Sequence, residues 1–320
     1  MKKALYLLMG AVLVSVYSCK RDDQLKPVPD TEMAASKAQE SLAINAVPLL
    51  IAGKKNTPGF TNGTGGAARF NTPSGIFVDG DGVLYVCDFS NSAVRKISTQ
   101  NKVTTLNIDP DLFGSVEVSG GPQNVAVLNN GVVGVQSSNN ILLYQNGAVF
   151  KNFDHFTDFS YGNFGGIDEG YDGTFFNFIT NYVDLPNEVY NSKLGVIKNN
   201  AYLGGLTVIS NDSNANNLEA NSATTKYVVI NARLNKLTSA GATVVYSNLI
   251  PSATVYDVAV SKAGTEIYVI DSGNIKRIKN NAILTIISGV KASSIALANS
   301  ERYIYYTSAD EQTVSRIALP

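Results

Sequence analysis

The chain has 320 residues, 25 basic against 26 acidic side chains, one histidine, two cysteines and no tryptophan. No run of Lys and Arg breaks that balance, so the clustered cations that a nucleic-acid partner requires are missing. One histidine rules out a zinc site built from several imidazoles of one chain, and two cysteines leave stability to packing.

Lys2 and Lys3 precede an apolar run over 4–16 that is too short for a comfortable membrane span. The run ends at Val16, Tyr17, Ser18 and Cys19. A small residue before a cysteine, after such a core, resembles a bacterial lipoprotein signal. An ordinary secretory peptide that happens to hold a cysteine is the alternative. The lipoprotein resemblance implies cleavage before Cys19 and lipidation of Cys19, with palmitate among the chains. It also implies export and anchoring in a membrane, the outer membrane, on its periplasmic or surface face. Residues 1–18 are then the signal peptide, and 19–46 read as a polar, Pro-containing flexible tether. The rest, 47–320, reads as one domain, with about 270 residues to build a core. Without Lys2 and Lys3 the balance is 23 basic against 26 acidic, slightly acidic. A monomer is expected.

A strand is expected over 47–53, followed by a Gly-rich crossover. Short apolar runs at 75–78, 83–86, 93–97 and 103–106 are separated by tight turns, the first over Asp79, Gly80, Asp81 and Gly82. Four such strands make a meander that cannot bury both its faces alone and must stack on others. Cys87 falls within a strand run, where a small buried hydrophobe is the expectation. The series Ala68, Arg69, Phe70, Asn71, Pro73, Gly75, Ile76, Val78, Asp79, Asp81, Gly82, Leu84, Tyr85, Val86 and Asp88, then Val94, Arg95, Lys96 and Ile97, resembles the NHL-repeat β-propeller family. So does the leader Ile51, Ala52 and Gly53 with Pro58, Gly59, Phe60, Asn62 and Gly63. The match covers 49–106 well and later segments only in outline. It implies an all-β propeller far more firmly than any activity.

Blade two is expected from 124–127, 131–135, 141–144 and 148–150, with hairpin turns at Asn130-Gly131 and Asn146-Gly147. Blade three starts near Gly165, Gly166, Ile167 and Asp168, has strands over 174–179 and 193–197, and carries a polar insertion over 180–191. The stretch 202–209 closes blade three or opens blade four. An Asn-rich loop is expected over 211–225, then strands at 227–230 and 243–246. The pattern recovers in blade five (257–260, 266–271, 275–278, 283–287) and blade six (294–297, 302–306, 313–318). Starts 40–50 residues apart predict six four-stranded blades, with 165–250 leaving five or seven open. The last blade lacks its fourth strand, and 47–53 is expected to supply it and close the ring.

The chemistry is less legible. Asp88 and Asp271 end strands, where each can accept backbone hydrogen bonds, and Arg95 and Arg277 are expected to pair with such carboxylates or reach solvent. Propellers such as the streptogramin lyases and peptide-amidating lyases depend on active-site histidines, which the lone His155 cannot fill; a loop or packing role is expected for it. Asp168, Glu169 and Asp172 cluster but read as ordinary loop carboxylates. Phe153, Phe156, Phe159, Tyr161 and Phe164 could fill the gap between blades two and three or form a rim platform, and Tyr171, Phe175, Phe176 and Phe178 read as core. The reading is therefore a non-enzymatic recognition propeller, meeting a protein or glycan through rim loops, with no catalytic residue and no cofactor. The alternative is a metal-assisted, lactonase-like hydrolase or lyase with an oxygen-ligand site, Ca2+ by its chemistry, in the central channel.

Overall fold

The computed structural model describes residues 46–113, 120–155, 162–184, 189–203, 207–211, 215–245 and 255–320. All of them belong to the second of the two units into which the chain divides, Ala38–Pro320. The signal peptide, Cys19 and nearly all of the tether lie outside the described residues, as do Phe156, Phe159 and Tyr161.

Two strands, β1 (Leu49–Gly53) and β2 (Gly63–Thr64), precede the first complete meander. Blade one is β3 (Pro73–Val78), β4 (Leu84–Asp88), β5 (Ala93–Ile97) and β6 (Lys102–Thr105), with β2 outside β6. Blade two is β7 (Asn124–Val127), β8 (Val133–Gln136), β9 (Asn140–Gln145) and β10 (Ala148–Asp154). Blade three is β11 (Gly162–Glu169), β12 (Phe175–Asp184) and β13 (Val189–Lys198), with β14 (Ala201–Tyr202) and β15 (Thr207–Asn211) both paired to β13. Blade four is β16 (Ala215–Ala220), β17 (Lys226–Ile230), β18 (Arg233–Thr238) and β19 (Gly241–Val244). Blade five is β20 (Val255–Val260), β21 (Glu266–Asp271), β22 (Asn274–Lys279) and β23 (Ala282–Ile287). Blade six is β24 (Ser294–Leu297), β25 (Tyr303–Ser308) and β26 (Thr313–Ala318), completed on the outside by β1.

The first strand of each blade packs against the first strand of the next, and β24 returns to β3, so the six blades form a closed ring. Closure follows the expected route. β1 runs antiparallel to β26 with Leu49 opposite Arg316 and Gly53 opposite Thr313. Gly53 has φ +94°, and a Cβ there would lie 2.4 Å from the Gln312 carbonyl oxygen, so only glycine fits. Blades six and one are also joined by Thr72 N donating to Gln312 Oε1 (2.7 Å) and Thr307 Oγ1 donating to the Ser74 carbonyl (2.6 Å).

Each seam between blades has its own apolar cluster. A strand covered on both faces reads as a continuous apolar run, which is why all five residues of β4, Cys87 included, are buried. Burial pushes the Cys87 thiol well above its ordinary value, so it packs and does not react. Arg95 and Asp88 pair within blade one, Nη1 to Oδ2 at 2.6 Å, both fully buried.

The structure departs from the sequence reading in blades three and four. The expected insertion over 180–191 is not a loop, because β12 runs on to Asp184 and pairs with β13 through Asp184 opposite Val189. For 202–209, where the sequence leaves both courses open, the structure takes the first: β14, which holds Tyr202, and β15, which holds 207–209, both pair with β13 in blade three. The expected loop over 211–225 contains β16, the innermost strand of blade four.

Candidate active site

The six innermost strands run side by side around a channel. Where they end, and at the hairpins that follow, the channel widens into a cavity of about 370 Å³ lined by residues from all six blades. Asp168 and Glu169 enter it from the end of β11, Glu219 from β16 and Asp257 from β20. Glu301 and Lys262 stand on the hairpins, and Lys262 is the one cation among the lining residues.

Two of these carboxylates reach across a seam to the next blade. Asp168 Oδ2 accepts from Ala220 N at 2.7 Å. Asp257 Oδ2 accepts from Ile295 N at 2.9 Å and from Ser294 Oγ at 2.6 Å, and its Oδ1 accepts from Val258 N at 2.8 Å. Ile76 N in blade one then donates to the same Ser294 Oγ at 3.3 Å. These bonds fix the carboxylates and tie the inner strands together.

Crowding four carboxyls in one channel raises their proton affinity. Burial holds Asp168 well above the usual range; the Ala220 and Glu169 N–H groups oppose it, and the charges of Glu169 and Asp257 add to it. Glu219 is also held well above, by desolvation and then by the charges of Asp168 and Asp257. Burial raises Asp257 to about 6 against its hydrogen bonds. Glu169 is raised to about 7 by burial, with Lys262 opposing and Asp79 adding. Glu169 is half-buried, and among the described residues no hydrogen bond holds its carboxyl. It is accessible, poised near neutrality and uncommitted, which suits a group that takes and returns a proton.

The sequence cluster of Asp168, Glu169 and Asp172 is thus split. Asp168 and Glu169 line the channel and are not ordinary loop carboxylates, whereas Asp172 is spent on the turn, accepting from Thr174 N and Oγ1 at 3.0 and 2.8 Å. Glu219 and Asp257 went unrecognised as site residues. The signal that could have found them is a carboxylate interrupting successive inner strands. His155 is fully buried near the start of β11, away from the strand ends that carry the carboxylates, with Nε2 2.6 Å from Thr180 Oγ1 and its ring edge-on to Phe164. Packing is its role, as expected. Phe153 and Phe164 are buried between blades two and three, so neither can serve a rim platform. Phe176 and Phe178 are core, while Tyr171 is exposed at the cavity mouth instead of buried.

The channel carboxyls do not converge on a common metal position. Among the described residues no three His, Cys, Asp or Glu side chains are placed to hold a metal, and Asp257 already spends both oxygens on protein donors.

No family model and no curated relative matches the chain. Solved structures do. A gluconolactonase from Xanthomonas campestris shares 12% identity over 87% of this chain and 97% of its own, with a TM-score of 0.61. A virginiamycin B lyase from Staphylococcus aureus shares 15% over 78% and 96%, with a TM-score of 0.54. A calcium-binding protein, regucalcin, from Agrobacterium tumefaciens shares 12% over 86% and 94%, with a TM-score of 0.61. At this identity the likeness is one of fold, a six-bladed propeller. Two sequence expectations are corrected by it. The NHL-repeat resemblance gives way to likeness with lactonase and lyase propellers; it rested on one blade, whose turn and strand spacing any four-stranded blade needs. The non-enzymatic recognition reading gives way as well, because the neighbours include enzymes and several carboxyls of the described residues converge in the channel.

Proposed function

We propose that this chain is a hydrolase that opens a small uncharged cyclic ester in its central channel, without a resident metal. The carrying observation is Glu169, an accessible carboxyl held near pH 7 inside an acidic cavity of about 370 Å³. The likeness to gluconolactonase propellers supports the substrate class. A lyase that relies on histidine is disfavoured, since the one histidine is buried away from the cavity.

As carboxylate, Glu169 takes a proton from a water molecule, whose oxygen attacks the acyl carbon. The acyl C–O bond breaks, and Glu169 returns the proton to the leaving alkoxide oxygen. Lys262 is the cation available to stabilise the oxyanion formed on the way. The product acid releases its second proton to bulk water, and the carboxylate so formed meets Asp257, ionised above about pH 6, whose like charge favours its release.

The test is turnover of a panel of γ- and δ-lactones by the purified protein, followed by pH-stat and mass spectrometry. Hydrolysis adds one water to the product mass, which elimination would not. The rate is expected to rise with pH through about 7, to survive EDTA, and to fall by ~100-fold or more in Glu169→Gln. No turnover of any lactone, or an unimpaired Glu169→Gln enzyme, overturns the proposal.

A further inference from the structure

The hairpin after β20, residues 261–264, carries Lys262 to the cavity and is held from both sides. From blade four, Asn221 Nδ2 donates to the Ser261 carbonyl at 3.0 Å. Gly264 packs on the same amide: its φ is +68°, and a Cβ there would lie 2.6 Å from Asn221 Oδ1. From blade six, Glu301 Oε1 accepts from Lys262 N at 2.5 Å. Glu301 is fixed by its own turn, where it has φ +53° and its N–H donates to the Ala298 carbonyl at 2.7 Å. That turn is anchored to blade one, since Asn299 Nδ2 donates to the Asp79 carbonyl at 2.8 Å. Hairpins of four consecutive blades are thus joined in series, and Asn221, Lys262, Asn299 and Glu301 all line the cavity.

A carboxylate beside a lysine commonly pairs with its ammonium. Glu301 takes the backbone N–H of Lys262 instead, and among the described residues the Lys262 ammonium is in no ion pair. A hydrogen bond from an N–H to a carboxylate is roughly twice as strong as one between neutral groups. The bond therefore fixes the hairpin and leaves the cation free. The charged groups around Glu169 are Asp168 on its own strand, Glu219 on β16, Asp257 on β20, and Asp79, Lys262 and Glu301 on hairpins. Lys262 is the one cation among these six, and its charge is what opposes the burial of Glu169. Where its hairpin stands decides how much of the acidic field it offsets.

We infer that Glu301 and Asn221 are positioning residues, which clamp the blade-five hairpin so that an unpaired Lys262 ammonium faces Glu169. The inference rests on the hydrolase reading for the use made of Lys262 but not for its test. The Glu169 carboxyl is titrated by 13C NMR in the full chain, and amide exchange at Lys262 is followed in parallel. The sign of the change is diagnostic. Removing the Glu301 charge alone lowers the Glu169 midpoint or leaves it, whereas letting the hairpin move takes the cation away and raises it. Glu301→Ala is expected to raise the midpoint above about 7, by roughly half a pH unit, and to quicken exchange at Lys262 ~10-fold. Glu301→Gln keeps an acceptor oxygen and should do neither. Lys262→Met raises the midpoint by itself, and adding Glu301→Ala raises it no further. Asn221→Ala moves the midpoint the same way and stands in if Glu301→Ala does not fold. The clamp is refuted if neither alanine variant raises the midpoint, if Glu301→Gln raises it as far as Glu301→Ala, or if Glu301→Ala still raises it once Lys262 is Met. A raised midpoint without turnover of any lactone would leave the clamp standing and remove the hydrolase reading.

Discussion

Replacing Glu169 by Gln should weaken catalysis and strengthen the fold, the latter only at higher pH. The Glu169 carboxyl is held near 7 instead of near 4.5, mainly by burial. A carboxyl raised on folding binds its proton more tightly in the folded chain than in the unfolded one. Below about pH 4.5 both states are protonated and the group costs nothing. As pH rises towards 7 the unfolded chain releases its proton first, so stability falls, and above 7 the whole cost is present. At about 1.4 kcal/mol per pH unit, the interval from 4.5 to 7 corresponds to about 3 kcal/mol. Gln keeps the shape and removes the titration. For a domain of this size that gain raises Tm by roughly 6–10 °C. Thermal unfolding of both proteins, followed by far-UV circular dichroism at pH 4.5 and pH 8.5 in matched salt, measures it. The variant should match the wild type at the lower pH and exceed it at the higher. An equal gain at both pH values, or none at pH 8.5, would show that the channel does not hold this carboxyl under strain.

Two further outcomes test the scaffold. Arg95 donates to Asp88 Oδ2, the Arg69 and Thr61 carbonyls and Asn62 Oδ1 at 2.6–3.0 Å, between the rings of Phe60 and Phe70. Arg95→Met should therefore cost ~3–5 kcal/mol in urea unfolding, as expected when one partner of a buried pair is removed. Arg95→Met with Asp88→Asn should recover part of that loss; a single variant within about 1 kcal/mol of wild type, against the roughly 3 expected, rules out this role. Gly53→Ala forces a Cβ onto Gln312 O at a positive φ and should cost roughly 2–4 kcal/mol. Hydrogen exchange should quicken in β26 first, and uniform quickening over all six blades would contradict the closing role of β1.

Blade one and the closing strand were legible because the chain there obeys one rule at a time. Asp79 Oδ1 accepts from Asp81 N and Val83 N, the turn that its Asp-Gly pattern announces. The site was not legible, for a reason inherent in channels. β16 reads Ala-Asn-Asn-Leu-Glu-Ala, with only Ala215 and Leu218 buried. A strand that lends its polar side chains to a lumen, and is interrupted by a bulge at Asn217, shows neither an apolar run nor a clean alternation. It reads as a loop. The same cause hid Glu219. Asp168 and Glu169 were noticed, but nothing local distinguishes a carboxylate at the end of an inner strand from one in a turn.

The partners that shut the ring, Leu49 and Arg316, are 267 positions apart. Bringing such distant segments together costs roughly 5 kcal/mol of chain entropy if nothing else has formed, far more than a short edge strand returns. Docking of β1 must therefore wait until the intervening blades have assembled and already hold both ends close. A nascent chain spends its whole synthesis with blade six incomplete, and any variant that slows the last blades lengthens the time during which that unpaired edge is open to a chaperone, a protease or another chain.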